Sequence, residues 1–431
     1  MLSLFGKRAR YCDGVSRRDF LQVGAATAIG LTLPDLLRAE AQSGALRRKS
    51  IINIYLGGGP THMDTFDLKP NAPVEFRGEF NPIATTVPGM EICELMPKLA
   101  GIGEKFAIVR SVTGLRNEHR PNQSDSGWNS RALEVVGGRP GIGAVVGKMH
   151  GTLNGLAPTS VSLSSFGSSG FLSPEYSPYQ PDNVGRANLR LNRSLSEDRL
   201  DSRRNLLANL DRIRRDMDRS NRMTAMDEFN DRAITVITSG ELADALDSSK
   251  IDAETLESYG ANGRDRYASG NRNFVLARRL IQTGVRVVGL RWGSWDTHSN
   301  NFTTMKSQLP ALDVGLSALL NDLEQQGMLE DTLVLMSGEF GRTPRVNTRA
   351  GRDHWPRAAF WFIAGGGLKT GQVIGSTNRL GETAQDRPVH LLEIYATVYR
   401  QLGIDLEQKI LDPAGRPQYV LEHRDPIAEL V

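Results

Sequence analysis

The sequence predicts an α/β protein: a central, largely parallel sheet with helices on both faces, plus a charged helical insertion. Three observations carry that expectation. The apolar runs are continuous rather than alternating, as strands covered on both faces require. Amphipathic stretches that end in glycine lie between the later runs. Polar residues gather directly after several of the runs, where open parallel sheets place their ligands.

In chain order the strand-like runs are Ser50 to Leu56, Phe106 to Val112, Val285 to Trp292, Thr332 to Ser337 and Ala358 to Gly365. The stretch NRNFVLARRLIQTG places Phe274, Ala277, Leu280 and Ile281 on one helical stripe, with Gly284 as its stop. LPALDVGLSALLNDLEQQG repeats the pattern up to Gly327, and PVHLLEIYATVYRQLG does so up to Gly403. From Ser194 to about Leu246 the chain is strongly charged, with Leu200, Leu207, Leu210 and Ile213 at helical spacing and Ser194 with Glu197 as a capping box. Interleaved acids among its arginines indicate a solvated helix face, so 194–250 reads as a helical insertion on the α/β core. Ser162 to Asp182 is loop-rich and expected to border a pocket.

The start of the chain reads differently. Arg17 and Arg18 precede a mild apolar run rich in Ala and Gly, and Ala39 to Ala41 fits an A-x-A cleavage site. Residues 1–41 are therefore expected to be a twin-arginine signal read by the export machinery, leaving 42–431 outside the cytoplasm, periplasmic or extracellular. A short membrane anchor or a buried helix is the plainer alternative. No later segment approaches the roughly 18 apolar residues a membrane span needs. With Cys12 in the signal, Cys93 alone remains, so no intramolecular disulfide is available. The 52 basic and 49 acidic side chains nearly balance, which gives no reason to expect nucleic acid as a partner.

Four polar clusters follow or flank the strands. They offer Thr61, His62, Asp64 and Asp67; Asp296 and His298; Glu339 and Arg342; and Arg352, Asp353 and His354. Carboxylates brought together at one rim would repel and raise one another's pKa, a penalty that a divalent cation removes. A mixed His and Asp/Glu set suits Zn²⁺, Mn²⁺ or Fe, whereas a carboxylate-heavy set suits Ca²⁺ or Mg²⁺; zinc leads here. Each cluster also has a plain reading: GGGPTH as a tight turn, Asp296 as a helix cap, Glu339 with Arg342 as a structural ion pair, His354 as a packed core histidine.

The segments LGGGPTHMDTFDLKP, WDTHSNNF, DTLVLMSGEFGRTPRVN, GRDHWPRAAFWFIAGGGLKTGQVIGSTN and RPVHLLEIYATVYRQLGID resemble the bacterial family called domain of unknown function 1501, from about Lys49 to Leu406. That family is usually grouped with the alkaline phosphatase and sulfatase superfamily. The resemblance implies a central mixed sheet, one or two metal ions, and a nucleophile in a helix-leading segment. Here the strand Thr332 to Ser337 ends in Gly338-Glu339-Phe340 where the superfamily has Asp-His, so the two-metal set looks depleted. The metal set it implies is His62, Asp64, Asp296, His298, Glu339 and His354. Ser124, Ser126 and Ser130 are the nucleophile candidates, His119 a ligand or base, and Arg342 or Arg352 the clamp for an anionic group. The resulting expectation is an exported metal-dependent hydrolase of phosphate or sulfate esters, acting on an anionic small molecule or a glycan ester. The alternative is a non-catalytic member that keeps only a ligand or metal pocket.

Overall fold

The computed structural model describes residues 49–134, 137–164, 166–182, 189 and 239–431. The expected signal at 1–41 lies outside these residues, as does most of the expected insertion at 194–250. Within the latter, Glu241–Ala245 is a short helix. Among the described residues, no helix is long and apolar enough to cross a membrane.

The five expected runs all form strands, four of them trimmed at an end: β1 Ser50–Tyr55, β2 Phe106–Val109, β4 Val287–Arg291, β5 Thr332–Ser337 and β6 Trp361–Gly365. Two three-residue strands join them, β3 Ser160–Ser162 and β7 Gln372–Ile374, and the sheet order is β7-β2-β6-β5-β1-β4-β3. Both are edge strands too short to carry a hydrophobic pattern, and β3 lies in a serine-rich stretch that reads as loop. All neighbours pair in parallel except around β6, which runs antiparallel to both β5 and β2. The sheet is thus mixed. The single reversal matters, because residues just ahead of β6 arrive at the edge that every other strand reaches with its carboxyl end.

Alternation along each strand feeds two cores. Ile52, Ile54, Val334, Met336 and Phe362 enter one; Ile51, Leu333, Leu335, Trp361 and Ile363 enter the other. Helices cover both faces. On the first lie α3 Arg266–Gln282 and α4 Asn301–Gln325; on the second lie α2 Ile142–His150 and α5 Leu391–Gln401. Asp265 starts α3 by accepting from the amides of Tyr267 and Ala268 at 2.8 and 3.1 Å. His390 and Glu393 form a reciprocal capping box on α5. α4 begins eight residues before the expected Leu309 and runs through Pro310. The hydrogen bond Pro310 forfeits is outweighed by burial of Leu309, Leu312, Leu316, Leu319 and Leu320.

A buried ion pair ties together two loops at the carboxyl edge. Arg352 reaches Asp64 through two bonds of 2.7 and 2.9 Å, and Thr61 and Asn301 each donate to the same carboxylate at 2.8 Å. The remaining Arg352 donors bond the carbonyls of Thr343, Pro344 and Phe76. Both side chains are fully buried. Asp64, expected as a metal ligand, and Arg352, expected as an anion clamp, instead hold each other: a guanidinium has five N–H donors, and all of these are committed. Breaking a buried pair leaves one charge without a partner. Asp64→Asn is therefore expected to destabilise the protein by about 3–5 kcal/mol, read as a lower urea midpoint at unchanged slope; a loss below about 1 kcal/mol would show that the pair is not structural.

Candidate metal centre

Five segments meet beyond the strand tips. The turn after β1 carries Gly57, Gly58 and Gly59, and the last two have φ of +112° and +78°. Both must be glycine for space as well: a Cβ on Gly58 would stand 2.4 Å from the Asp296 amide, and one on Gly59 2.5 Å from the Phe340 ring. The segment after β4 brings Asp296 and His298, that after β5 brings Glu339 and Arg342, and that after β2 brings His119. Ahead of β6, His354 pairs with Arg342 across a two-residue antiparallel ladder.

Three imidazoles converge on one carboxylate. Asp296 Oδ1 lies 3.1 Å from His298 Nε2 and 3.3 Å from His354 Nε2, and Asp296 Oδ2 lies 3.7 Å from His119 Nε2. One ligand atom from each of His119, Asp296 and His354 falls within 4.8 Å of the others. His298 joins them with its Nε2 3.0 Å from that of His354. The opposite nitrogen of each ring is committed to oxygen: His119 Nδ1 to Glu339 at 3.1 Å, His298 Nδ1 to Asp353 at 2.6 Å, His354 Nδ1 to the Asn117 side-chain oxygen at 2.7 Å. An acceptor at Nδ1 fixes the proton there and leaves the Nε2 lone pair facing the centre.

The electrostatics agree. Burial, reinforced by the Arg342 charge, holds His354 below its ordinary pKa and so in the neutral, ligating form. Partial burial works against ionising Asp296, but the hydrogen bond and charge of Arg342 hold this carboxyl below its usual range. The hydrogen bond from His298 does the same for Asp353. Two Nε2 lone pairs at 3.0 Å repel unless a cation lies between them. Tetrahedral zinc with N ligands at about 2.0–2.1 Å sets neighbouring nitrogens a little over 3 Å apart. The residues present therefore fit a divalent cation, and three imidazoles with one carboxylate fit zinc better than the oxygen-rich cages of Ca²⁺ or Mg²⁺.

The other expected residues stand back from this point. Glu339 is fully buried and accepts from the amides of Gly58 and Gly59 at 2.9–3.2 Å, so it acts on the cluster through His119. Arg342 is buried as well; it bonds the carbonyls of Gly58, Gly59 and Arg352 and the carboxylate of Asp296, which makes it the holder of Asp296 rather than an open clamp. His62 is buried in the core with Nε2 on the Gly381 carbonyl at 2.8 Å, and burial lowers its pKa. Ser124 and Ser126 lie on a single-turn helix, α1 Asn122–Ser126. The Ser124 hydroxyl is buried, Ser126 bonds the Asn122 carbonyl at 2.9 Å, and Ser130 bonds Glu118 at 2.7 Å. Asn117, which sets the His354 ring, is the contributor the sequence reading passed over. Its one signal is its place two residues before His119.

The model of the family described as protein of unknown function (DUF1501) matches residues 48–431. No curated protein matches the sequence. Among solved structures, the chain is similar to the lipoteichoic acid synthase LtaP from Listeria monocytogenes, at 12% identity over 84% of this chain and 74% of that one, with a TM-score of 0.35. It is also similar to the PsFucS1 sulfatase from Pseudoalteromonas sp., at 10% identity over 86% and 70%, TM-score 0.36. A third is the phosphonate monoester hydrolase SpPMH from Silicibacter pomeroyi, at 10% identity over 82% and 73%, TM-score 0.33. Likeness at this level assigns no residue and no activity.

Calorimetric titration of metal-free protein with Zn²⁺ is expected to give one equivalent per chain. His298→Ala and His354→Ala should each weaken binding more than about 100-fold, and Glu339→Gln by about 10–100-fold through its hold on His119. Equal zinc affinity in the parent and both histidine variants would remove the centre.

Proposed function

This chain belongs to the DUF1501 family, and from that premise we propose that it is an exported, metal-dependent hydrolase of phosphate or sulfate esters, carried by a small anionic molecule or a glycan. The observation that carries the reading is the convergence of His119, His298 and His354 on Asp296, with every Nδ1 bonded to an oxygen. A divalent cation bound there supplies a Lewis acid for the ester oxygen and lowers the pKa of water. The chain's own groups prepare that site. Glu339, Asp353 and Asn117 orient the three rings. Arg342 holds Asp296 ionised and in place. The side chains of Asp296 and His119 are 44% and 46% exposed, so the centre opens to substrate and solvent. Ser126 and Ser130 spend their hydroxyls on Asn122 and Glu118 and Ser124 is buried, so in this reading water is the source of the attacking oxygen. Export rests on Arg17, Arg18 and the apolar run that follows, a route for proteins folded with their metal already in place.

A second reading, a metal- or ligand-binding member without turnover, draws support from the same serines and from the two committed arginines. The two readings part in one assay. Zinc-loaded protein is expected to hydrolyse an aryl phosphate or an aryl sulfate, to lose that activity on chelation and regain it with Zn²⁺. Asp296→Ala should lower kcat/KM by at least about 10²–10³, the usual scale for removing one electrostatic partner of a transition state. Protein that holds zinc and turns over neither ester is a binder.

A further inference from the structure

The charge that would recognise an anionic ester is missing from the two arginines where it was expected, and a third arginine at the same edge is available. We propose that Arg291 is the anion-recognition residue of this centre, taking a tetrahedral oxyanion, phosphate or sulfate, through its guanidinium; the proposal rests on the metal-hydrolase reading above.

Arg291 is the last residue of β4 and stands in register with Tyr55, the last residue of β1. Strand alternation sets both on one face of the sheet, since Val287 and Ile51 share a core while Val288 and Ile52 share the other. A Cβ on Gly57 would stand 2.9 Å from Arg291 Nε, 3.0 Å from its Cζ and 2.9 Å from a Tyr55 ring carbon. Arg291 Nε and Cζ thus lie over the bare face of Gly57, close to the edge of the Tyr55 ring. Gly57, unlike Gly58 and Gly59, is not in the left-handed region, so its lack of a side chain serves the space the arginine fills.

That placement links Arg291 to the centre by short steps on two sides. Tyr55 hydrogen-bonds Glu339, and Glu339 holds His119. Gly57 accepts at 3.1 Å from the amide of Trp295, the residue before Asp296, while Asp296 itself packs on Gly58. Phe166 stacks on Tyr55 with ring centroids 5.4 Å apart, so the ring near the guanidinium is itself held. Arg291 is exposed, and among the described residues no carboxylate lies within ion-pair distance of it. Its neighbour Tyr55 is affected accordingly: burial and then Glu339 push the phenol far up, and Arg291 is the charge that opposes them.

The chemistry follows. A guanidinium stays charged at any working pH and offers two parallel N–H bonds to a phosphoryl or sulfuryl group. Arg342 and Arg352 cannot do this, because their donors end on carbonyls and on Asp296 and Asp64. Arg120, next to His119, is exposed and unpaired too, yet among the described residues no contact fixes its side chain. Arg291 is exposed, and its guanidinium lies over Gly57 beside the Tyr55 ring at the edge that bears the centre.

The test uses the full chain loaded with zinc and titrates it with inorganic phosphate and, separately, sulfate. Arg291→Gln is expected to weaken binding of the preferred ion about 10–100-fold, the cost of one charge-assisted bidentate contact. Arg291→Lys should lie between the two, and Arg120→Gln within about threefold of the parent. Zinc affinity should be unchanged in all three, and with a turned-over ester the loss should fall on KM more than on kcat. Phosphate and sulfate affinities that are unchanged in zinc-loaded Arg291→Gln overturn the proposal. Should the parent take up no zinc, the metal centre fails instead. The same titrations on metal-free protein then decide the arginine alone: oxyanion binding lost in Arg291→Gln supports it, and binding unaffected overturns it.

Discussion

The centre depends on one constraint: two imidazole nitrogens, His298 Nε2 and His354 Nε2, face each other at 3.0 Å while the second nitrogen of each ring already donates to oxygen. A neutral imidazole has one proton. Once Asp353 and Asn117 have claimed it, the facing nitrogens present lone pairs, and lone pairs at that separation need a positive charge between them. Asp296 supplies the complementary negative charge at 3.1 and 3.3 Å from the same two atoms. Everything else at the strand tips serves to hold these groups where water alone would not keep them.

The fold supplies that hold by using backbone where side chains would cost too much. Glu339 is a fully buried carboxylate, and a carboxylate out of water needs hydrogen-bond donors. Two successive glycine amides and the His119 ring satisfy it. Those amides are free to point inward because Gly58 and Gly59 adopt positive φ, which a side chain there would resist. The same turn gives its carbonyls to Arg342, whose guanidinium then reaches Asp296. One three-glycine turn therefore couples two of the four groups at the centre, Glu339 acting on His119 and Arg342 on Asp296. The tight turn read from GGGPTH is there, and its role is electrostatic.

Much of this architecture was legible from the chain, and the boundary of what was legible is physical. Continuous apolar runs and glycine-stopped amphipathic stretches give strands and helices whose period survives tertiary packing, hence β1, β5, α3 and α5. The edge strands β3 and β7 have three residues each, too few for any period. Asp296, His298 and His354 could be picked out because they sit next to strands. The partners of Asp64 and Arg352 could not, because their bonds span 288 positions and depend on register, not on spacing. Nor does sequence distinguish a histidine turned to the centre, such as His298, from one turned to a carbonyl, such as His62. The tautomer and the aim of a ring are set by whatever acceptor packing brings to it.

The arginines make the same distinction from the side of charge. The sequence offers many guanidinium groups, and type and position alone favour Arg342 and Arg352 as anion clamps. Burial reverses that ranking. A buried guanidinium must satisfy its donors or carry a desolvation penalty of several kcal/mol, so Arg342 and Arg352, the two expected to meet an anion, are consumed by the protein itself. Their proximity is what commits them: they neutralise Asp296 and Asp64 and fasten the loops. An arginine can meet an outside anion only where the chain holds its stem and leaves its head open to solvent. At this edge that condition falls on a strand terminus beside a glycine. Recognition thus falls to a different arginine from the two buried ones for a single reason, that a donor spent on the fold has nothing left for a ligand.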